Sequence, residues 1–408
     1  MPDAIVTRLL AIPGYGVYRY EVDEEGEAIT LWVRQTAARP HYTCRKCGVS
    51  TRAVHGVPRE RRVRDLPWGP WAVWLLVEVH TVACRRCGRH REQLPFLAGT
   101  GHRTRRYDAI VARDCDDAPV RRVAGRWGLA AETVRLIDKR ALQQWAASRP
   151  RARLRYLGVD EIFLGKADKF LTVVSNLETR EPIWVGRERK RETLDRFFAE
   201  ALPPQRRWRV KAVCVDMWEP FRLSLQAHLP RARLVYDKFH VLQHATKAVE
   251  ETRRAEFFRK GGHRRGLVRG KRWLLLTRWH HLSRGQRDTL TALFAVNRRL
   301  AKAYLLREQL EQLWHYTYEG AARRFLTAWL RALRWQRLPA FQVLAGTLRR
   351  HLDGILAYCH EKVPFGVVEA INGNIRALLR RGRGYQDHAY LLLKVQRSTA
   401  EGRRLRAA

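Results

Sequence analysis

The spacing of apolar residues changes several times along the chain, and each change of period marks a separate segment. Residues 16–23 and 27–34 alternate between apolar and polar positions around an acidic turn, which predicts a β-hairpin. Residues 59–79 predict two more strands, joined where Pro67 and Pro70 interrupt the run. We therefore predict an N-terminal β module over residues 1–100.

Residues 101–150 have helical spacing. Val120 and Val123 share one face of a short helix, Gly128 provides a turn, and Val134 and Ile137 continue a second helix. This arrangement is typical of a DNA-binding helix-turn-helix, although two short helices in a linker would give the same pattern. The residues expected to face outward on the second helix are Ala131, Glu132, Arg135 and Lys139.

Residues 151–240 predict the order β-β-β-α-β-α-β-α, with a turn over residues 165–168. Asp160 lies in the first strand and Asp216 closes the fourth. This order, with acids on those two strands, is that of an RNase H-like fold. In that fold the first strand is central and the fourth lies beside it, so the two aspartates would face each other.

Residues 241–362 return to helical spacing and predict an all-α insertion domain. Its tryptophans could stack on nucleic acid, but we expect them to fill the cores between helices. They are Trp273, Trp279, Trp314, Trp329 and Trp335. A basic stretch with glycines, residues 253–272, predicts a flexible loop that could lie on a phosphate backbone.

Residues 363–408 predict the final helix of the core, followed by a C-terminal tail. Val368, Ile371, Ile375 and Leu378 form the apolar face of this helix. The opposite stripe consists of Glu369, Asn372, Arg376 and Arg380. Such a stripe could complete a metal site and hold phosphates, but a glutamate at a helix start is also an ordinary solvated residue that suits the helix dipole.

The charge of the chain indicates its partner. The 408 residues include 79 Lys and Arg against 40 Asp and Glu, a formal net charge of +39. Such an excess favours a large polyanion, and we expect double-stranded DNA rather than a membrane surface. No apolar run approaches the roughly 20 residues that span a bilayer, and no signal peptide is expected. We therefore expect a cytoplasmic, nucleoid-associated protein, and Arg135 and Lys139 become the expected DNA contacts of the helix-turn-helix.

Two CxxC pairs predict a metal site. Cys44 and Cys47 form the first pair and Cys84 and Cys87 the second, each with the two-residue gap that lets both thiolates reach one Zn²⁺ ion. The 36 residues between the pairs exceed the usual range, but the predicted hairpin between them would bring its ends together. The alternatives are two unrelated pairs, or ligation completed by His41 or His55. Four thiolates would make the zinc structural.

The aspartates predict a second, different metal site. A carboxylate in an apolar strand is costly to bury unless a positive charge meets it. Two strands that each deliver one carboxylate suit Mg²⁺ or Mn²⁺, although each aspartate alone could simply cap the turn after its strand. Asp237 and His240 follow the fifth strand and could be accessory residues. A helix N-cap is the expected use of Asp237.

Five motifs in order carry a family likeness: CRKCG…CRRCG, GVDEIFLGK, VCVDMWEPF, VYDKFHV and VVEAINGNIRALLRRGRGY. With them the chain resembles the ISL3 group of bacterial insertion-sequence transposases, within the class of DDE transposases, over nearly its whole length. The resemblance implies that Asp160, Asp216 and Glu369 are the acidic triad and that a helical insertion precedes the third acid. Ala370 and Asn374 stand where the family motif usually has glycine and lysine.

The resemblance also implies a reaction. Two metal ions would be bridged by Asp160, with Asp216 and Glu369 each completing one side. Water would cut at the element ends, the freed 3′-hydroxyl would attack target DNA, and the zinc module and helix-turn-helix would recognise terminal inverted repeats. A homo-oligomer, most simply a dimer, is expected. The alternatives are a DNA-binding regulator on an inactive body, an endonuclease that does not join, and a structural zinc protein.

Overall fold

The computed structural model describes residues 4–97, 101–150, 152–165, 169–259, 268–361, 363–364, 366–382 and 385–407. The chain divides into two compact units, Met1–Arg149 and Pro150–Ala408. Residues 166–168 of the predicted turn and residues 260–267 of the predicted basic loop lie outside the described residues. Residues 253–259, which were predicted to begin that loop, are helical.

The first unit contains a four-stranded sheet in the order β1-β2-β6-β5. Strand β1 (Tyr15–Asp23) pairs antiparallel with β2 (Ala28–Gln35), and β5 (Arg59–Trp68) pairs antiparallel with β6 (Trp71–Val79). Both predicted hairpins are therefore confirmed, and their alternating apolar residues pack into one core. That core includes Leu31, Val33, Val63, Val73 and Leu75.

Four short strands form two small antiparallel ribbons in the same unit. Strand β3 (Tyr42–Thr43) pairs with β4 (Ser50–Thr51), and β7 (Thr81–Cys84) pairs with β8 (Gly88–Arg91). An isolated bridge between Val54 and Val82 joins the two ribbons. The ribbons thereby bring the two CxxC segments together. The unit opens with helix α1 (Ala4–Leu10).

Three helices complete the first unit: α2 (Arg105–Asp117), α3 (Val120–Trp127) and α4 (Ala131–Ala147). Gly128 ends α3 with φ of 60°, a left-handed conformation that glycine adopts without the penalty of a Cβ. The predicted turn and the two helices around it are therefore observed. A small core holds them, with the members Tyr107, Val111, Val123, Val134 and Ile137.

The second unit is built on a five-stranded sheet in the order β11-β10-β9-β12-β13. The strands are β9 (Tyr156–Gly165), β10 (Lys169–Asn176), β11 (Glu181–Arg187), β12 (Ala212–Val215) and β13 (Arg233–Tyr236). The first three are antiparallel neighbours, whereas β12 runs parallel to both β9 and β13. The first strand is central and the fourth lies beside it, as the sequence predicted.

Helices cover both faces of this sheet. On one face α5 (Arg191–Glu200) and α7 (Glu219–His228) pack against Val213 and Val215. On the other face α15 (Gly366–Gly382) and α16 (His388–Ala407) pack against the intervening residues of the same strands. The segment predicted as a tail is therefore a helix, because Tyr390, Leu391 and Val395 are buried. The short helix α6 (Pro204–Arg207) precedes β12.

Most of the described residues between β13 and α15 are helical, as predicted. The helices are α8 (Lys238–Arg259), α9 (Arg272–Leu276), α10 (Arg284–Val296), α11 (Arg298–Glu311), α12 (Glu319–Leu333), α13 (Pro339–Arg350) and α14 (Leu352–Leu356). The described residues of this region also include 3₁₀ turns at Trp279–His281, Gln312–His315 and Ala357–Cys359. The helical run is interrupted between α13 and α14 at His351, whose backbone leaves the helical region.

The tryptophans of this helical region divide into two groups. Trp314 and Trp329 are buried among the helices, as expected. Trp273 and Trp335 are 70% and 77% exposed, and Trp279 is also exposed, so the core prediction is wrong for these three. Helical spacing does not distinguish them, because an exposed aromatic can occupy the same sequence pattern as a core residue.

Candidate active site

Parallel pairing of two strands brings Asp160 and Asp216 to the same edge of the sheet. Val159 on β9 is the register partner of Val215 on β12, and each aspartate is the next residue. The His240 ring lies between the carboxylates, with Nε2 3.6 Å from Asp160 Oδ1 and Nδ1 4.0 Å from Asp216 Oδ1. These distances agree with the expectation that the two aspartates converge.

His240 is held at this position by the start of α8. The backbone N–H of Phe239 donates to Asp237 Oδ1 at 2.8 Å, which confirms the predicted N-cap role of Asp237. Burial disfavours the charged imidazole, but the side chain of Asp160 and the charge of Asp216 outweigh it and raise the pKa of His240 to about 9. His240 is therefore a cation at neutral pH and offsets part of the negative charge of the aspartates.

Arg189 and Glu161 also belong to the site, and neither was predicted from the sequence. Arg189 Nη2 lies 2.8 Å from Glu161 Oε1 and 3.0 Å from Asp216 Oδ2, and its guanidinium stacks 4.4 Å from the Trp218 ring centroid. Burial raises the pKa of Glu161 to about 7 despite the opposing charge of Arg189. The sequence signal for this pair was a second acid directly after Asp160 in an apolar strand.

Helix α15 lies close to the strand that carries Asp160, and Gly158 makes this approach possible. A Cβ at Gly158 would lie 2.7 Å from Val368 Cγ2 and 2.9 Å from Leu177 Cδ2. The predicted apolar face of the helix is buried against the sheet. Asn372 is buried as well, although it was predicted on the opposite, polar stripe, and its Nδ2 donates a hydrogen bond of 2.6 Å to Asp160 Oδ2.

A cleft of about 610 Å³ opens in front of these residues. Its wall includes Asp160, Glu161, Asp237, His240, Glu369, Asn372 and Arg376. Glu369, in the first turn of α15, is exposed on this wall and shares the cleft with Asp160. Arg376 also lines the cleft, whereas Arg380, one turn further along α15, lies outside it and is exposed.

Asp160 and Glu369 line the cleft, whereas Asp216 is not part of its wall and is linked to Asp160 through His240. Among the residues that the structure describes, only the four cysteines form a group of at least three potential metal ligands within 4.8 Å of one another. The oxygens Glu161 Oε2 and Asn372 Oδ1 are buried without a hydrogen-bond partner in the same described part. Unsatisfied buried oxygens beside carboxylates form a donor set that suits a hard divalent cation.

The thiols of Cys44, Cys47, Cys84 and Cys87 form one cluster in the first unit. Cys47 Sγ and Cys84 Sγ are 3.5 Å apart, close to the roughly 3.8 Å that tetrahedral zinc with Zn–S bonds of about 2.3 Å requires. Backbone N–H groups, chiefly that of Arg86, lower the pKa of Cys84 to about 7, which favours the thiolate. Two unrelated pairs are thus ruled out, and His41 instead accepts a hydrogen bond from Arg52.

Arg135 and Lys139, the DNA contacts predicted on helix α4, are both half-buried. Arg135 Nη2 lies 2.6 Å from Glu132 Oε1, one turn earlier on the same helix. Ala131 and Glu132 are exposed, as expected. Contact with a phosphate would therefore require Arg135 to exchange this ion pair.

Comparison with known proteins identifies the family. The model of a transposase family, DDE_Tnp_ISL3, matches residues 157–395. The chain belongs to the ISL3 family of insertion-sequence transposases. The matched part of the transposase includes Asp160, Asp216, His240 and Glu369, and it ends within helix α16.

Two relatives resemble the transposase over most of its length. Over 388 residues it is 34% identical to the transposase for insertion sequence element IS1001 of Bordetella parapertussis, and this alignment covers 94% of this chain and 95% of the relative. It is 27% identical over 421 residues to the transposase for insertion sequence element IS1557 of Mycobacterium tuberculosis, covering 94% and 93%. No helix in the described part of the transposase combines the length and apolar character needed to cross a membrane.

Proposed function

We propose that this transposase cuts DNA at the ends of its insertion sequence and joins the freed 3′-hydroxyl groups to target DNA. In this proposal the sheet of the second unit is an RNase H-like core, and Asp160, Asp216 and Glu369 are its catalytic acids. The main support is the hydrogen bond between Asn372 and Asp160, which ties the helix carrying Glu369 to the strand carrying the first aspartate.

The donor set suits Mg²⁺ or Mn²⁺. Carboxylate oxygens are the ligands these ions prefer, and two unsatisfied buried oxygens lie beside the aspartates. Asp160, Asp216 and Glu369 would hold the metal. When bound, such ions stabilise the negative charge that develops on the attacking and leaving oxygens of a phosphodiester.

The proposed reaction has two phosphoryl-transfer steps. In the first, a water oxygen attacks the phosphorus at the element end, and the bond to the 3′ oxygen breaks to leave a 3′-hydroxyl. In the second, that 3′ oxygen attacks a target phosphorus, and the target strand releases its own 3′ oxygen.

The protein side chains have separate roles in these steps. Asn372 orients Asp160, and Arg189 orients Asp216. Arg376, which is exposed, holds a phosphate in the cleft.

Recognition of the terminal inverted repeats is assigned to the first unit. The four thiols would hold a structural Zn²⁺ ion, and the helix after Gly128 would present Arg135 and Lys139 to DNA. Two ends must be joined in one event, so we propose that the transposase acts as a dimer.

The deciding experiment compares cleavage of DNA that carries the flanking terminal repeats by the wild type and by Asp216→Asn, with and without Mg²⁺. Asp353→Asn is the matched control, because Asp353 lies in the same unit with a 93% exposed side chain. We expect Asp216→Asn to abolish cleavage and strand transfer while the control retains both. Equal cutting by Asp216→Asn and wild type would refute the site.

The same assay distinguishes the alternatives. Binding without Mg²⁺-dependent nicking by the wild type would indicate a DNA-binding regulator. Cleavage without joining of labelled ends would indicate an endonuclease.

A further inference from the structure

A second cleft, of about 680 Å³, lies in the first unit between the small ribbons and the edge of the four-stranded sheet. Its wall is strongly basic. It includes Arg45, Arg59, Arg61, Arg62, Arg91 and His102, with Glu60 and Glu92 as the acids.

The fold brings these arginines together from three separate segments. Arg59 and Arg61 alternate along β5, which is an edge strand. Arg45 lies between the two thiols of the first CxxC pair, and Arg91 ends β8 after the second pair. A backbone bridge from Cys44 to Glu92 joins the segments of Arg45 and Arg91, so the cysteine cluster fixes both.

The positive charge of this cleft is only weakly compensated from within the protein. Glu92 is engaged by His80, whose backbone N–H donates at 2.6 Å and whose Nδ1 lies 3.0 Å from the carboxylate. Arg45, Arg59 and Arg91 form no ion pair with any carboxylate in the described part of the chain.

Arg61 lies in the wall of the cleft near two other arginines, Arg45 and Arg91. Its Nη2 donates to Gly101 O at 2.7 Å, which fixes the guanidinium beside the cleft. Burial lowers the pKa of Arg61, and the positive charges of Arg91 and Arg45 lower it further. Such repulsion in a concave surface is relieved when a polyanion enters.

We propose that this cleft binds the phosphate backbone of duplex DNA and that the metal-bound cysteine cluster positions two of its arginines. The inference deepens the proposed function, because it assigns a specific surface to DNA binding outside the helix-turn-helix and the acidic cleft. It concerns backbone binding, so it applies to any DNA sequence.

The experiment measures the affinity of the full, zinc-loaded chain for a short fluorescent duplex without terminal repeats, as a function of salt. The variant is Arg59→Gln/Arg91→Gln. The control Arg19→Gln/Arg34→Gln removes the same charge from strands β1 and β2 of the same unit. Each lost phosphate contact reduces the magnitude of the slope of log affinity against log salt concentration by about 0.9. We therefore expect this magnitude to fall by about 2 in the cleft variant and to stay unchanged in the control.

Zinc content and the thermal midpoint separate binding from folding, and both should be unchanged in the cleft variant. A second variant, Arg59→Gln/Arg62→Gln, leaves the ribbon untouched and should also reduce the slope. Removing the metal with a chelator should lower the slope of the wild type. Equal slopes for the cleft and control variants would overturn the inference.

This readout is independent of catalysis. Normal cleavage with equal salt slopes would refute the cleft and leave the proposed function intact. A reduced slope in the cleft variant of a chain that cannot cleave would support the cleft and refute the proposed chemistry.

Discussion

Asn372 Nδ2 donates a hydrogen bond of 2.6 Å to Asp160 Oδ2 across 212 residues of sequence. This contact connects the central strand of the sheet to the helix that carries Glu369, and it fixes the orientation of the Asp160 carboxylate.

Replacing Asn372 by Ala should therefore reduce Mg²⁺-dependent DNA cleavage by about 10- to 100-fold, the usual effect of losing a residue that orients a metal ligand. The control is Asn374→Ala, because Asn374 is exposed on the same helix. The measurement is the cleavage rate against Mg²⁺ concentration. A rate for Asn372→Ala equal to that of the control would show that the hydrogen bond has no positioning role.

Arg189→Gln should lower the thermal midpoint in the absence of divalent ions. The substitution leaves the carboxylates of Glu161 and Asp216 without their shared cation. This should lower the free energy of unfolding by about 2 kcal/mol. Mg²⁺ should then stabilise the variant more than the wild type, since it no longer competes with Arg189 for Asp216.

The check is thermal unfolding with and without Mg²⁺, with Arg196→Gln as a control on the neighbouring helix. An Mg²⁺-induced shift no larger in Arg189→Gln than in the wild type would contradict the competition.

Gly158→Ala should destabilise the second unit by about 1–3 kcal/mol, because the added methyl group overlaps Val368 and Leu177. It should also reduce cleavage, since α15 must move away from β9. Gly373→Ala is the matched control in α15, because a Cβ there has no neighbour within 4 Å. Alanine favours the helix over glycine, so this substitution should raise the free energy of unfolding by about 1 kcal/mol. Chemical denaturation of both variants tests the prediction, which fails if Gly158→Ala is as stable as the wild type.

Glu250 should make stability depend on acid pH. Hydrogen bonds from Arg253 and Arg254 lower the pKa of Glu250 from 4.5 to about 2 in the folded chain. The stabilisation is therefore complete above about pH 4.5 and is lost as the pH falls towards 2. Glu250→Gln should lower the thermal midpoint at pH 7, and this difference from the wild type should shrink between pH 4.5 and 2. A difference independent of pH would contradict the ion-pair origin.

The cysteine cluster should bind one Zn²⁺ ion per chain. Cys84→Ser removes one of four converging thiols and should lose the metal, whereas Cys359→Ser, outside the cluster, should retain it. Metal analysis of the purified proteins decides this. Retention of a full equivalent by Cys84→Ser would exclude a four-thiol site.

Sequence alone determined the features that depend on local spacing. Short apolar runs identified the strands that carry Asp160 and Asp216, because a strand covered on both faces is apolar at successive positions. Helical spacing identified the buried face of α15, because burial on one side of a helix repeats with its period. The CxxC gaps predicted the cysteine pairs for the same local reason. The order of strands then placed the two aspartates side by side.

Only the tertiary structure determined which polar groups meet. The pairing of Arg189 with Asp216, the burial of Asn372 against Asp160 and the basic cleft each join distant segments. The exposure of Trp335 and the packing of α16 also depend on neighbours that no local period specifies. The physical reason is that burial and charge compensation depend on packing between elements, whereas the period of a sequence reports only which face of one element is apolar.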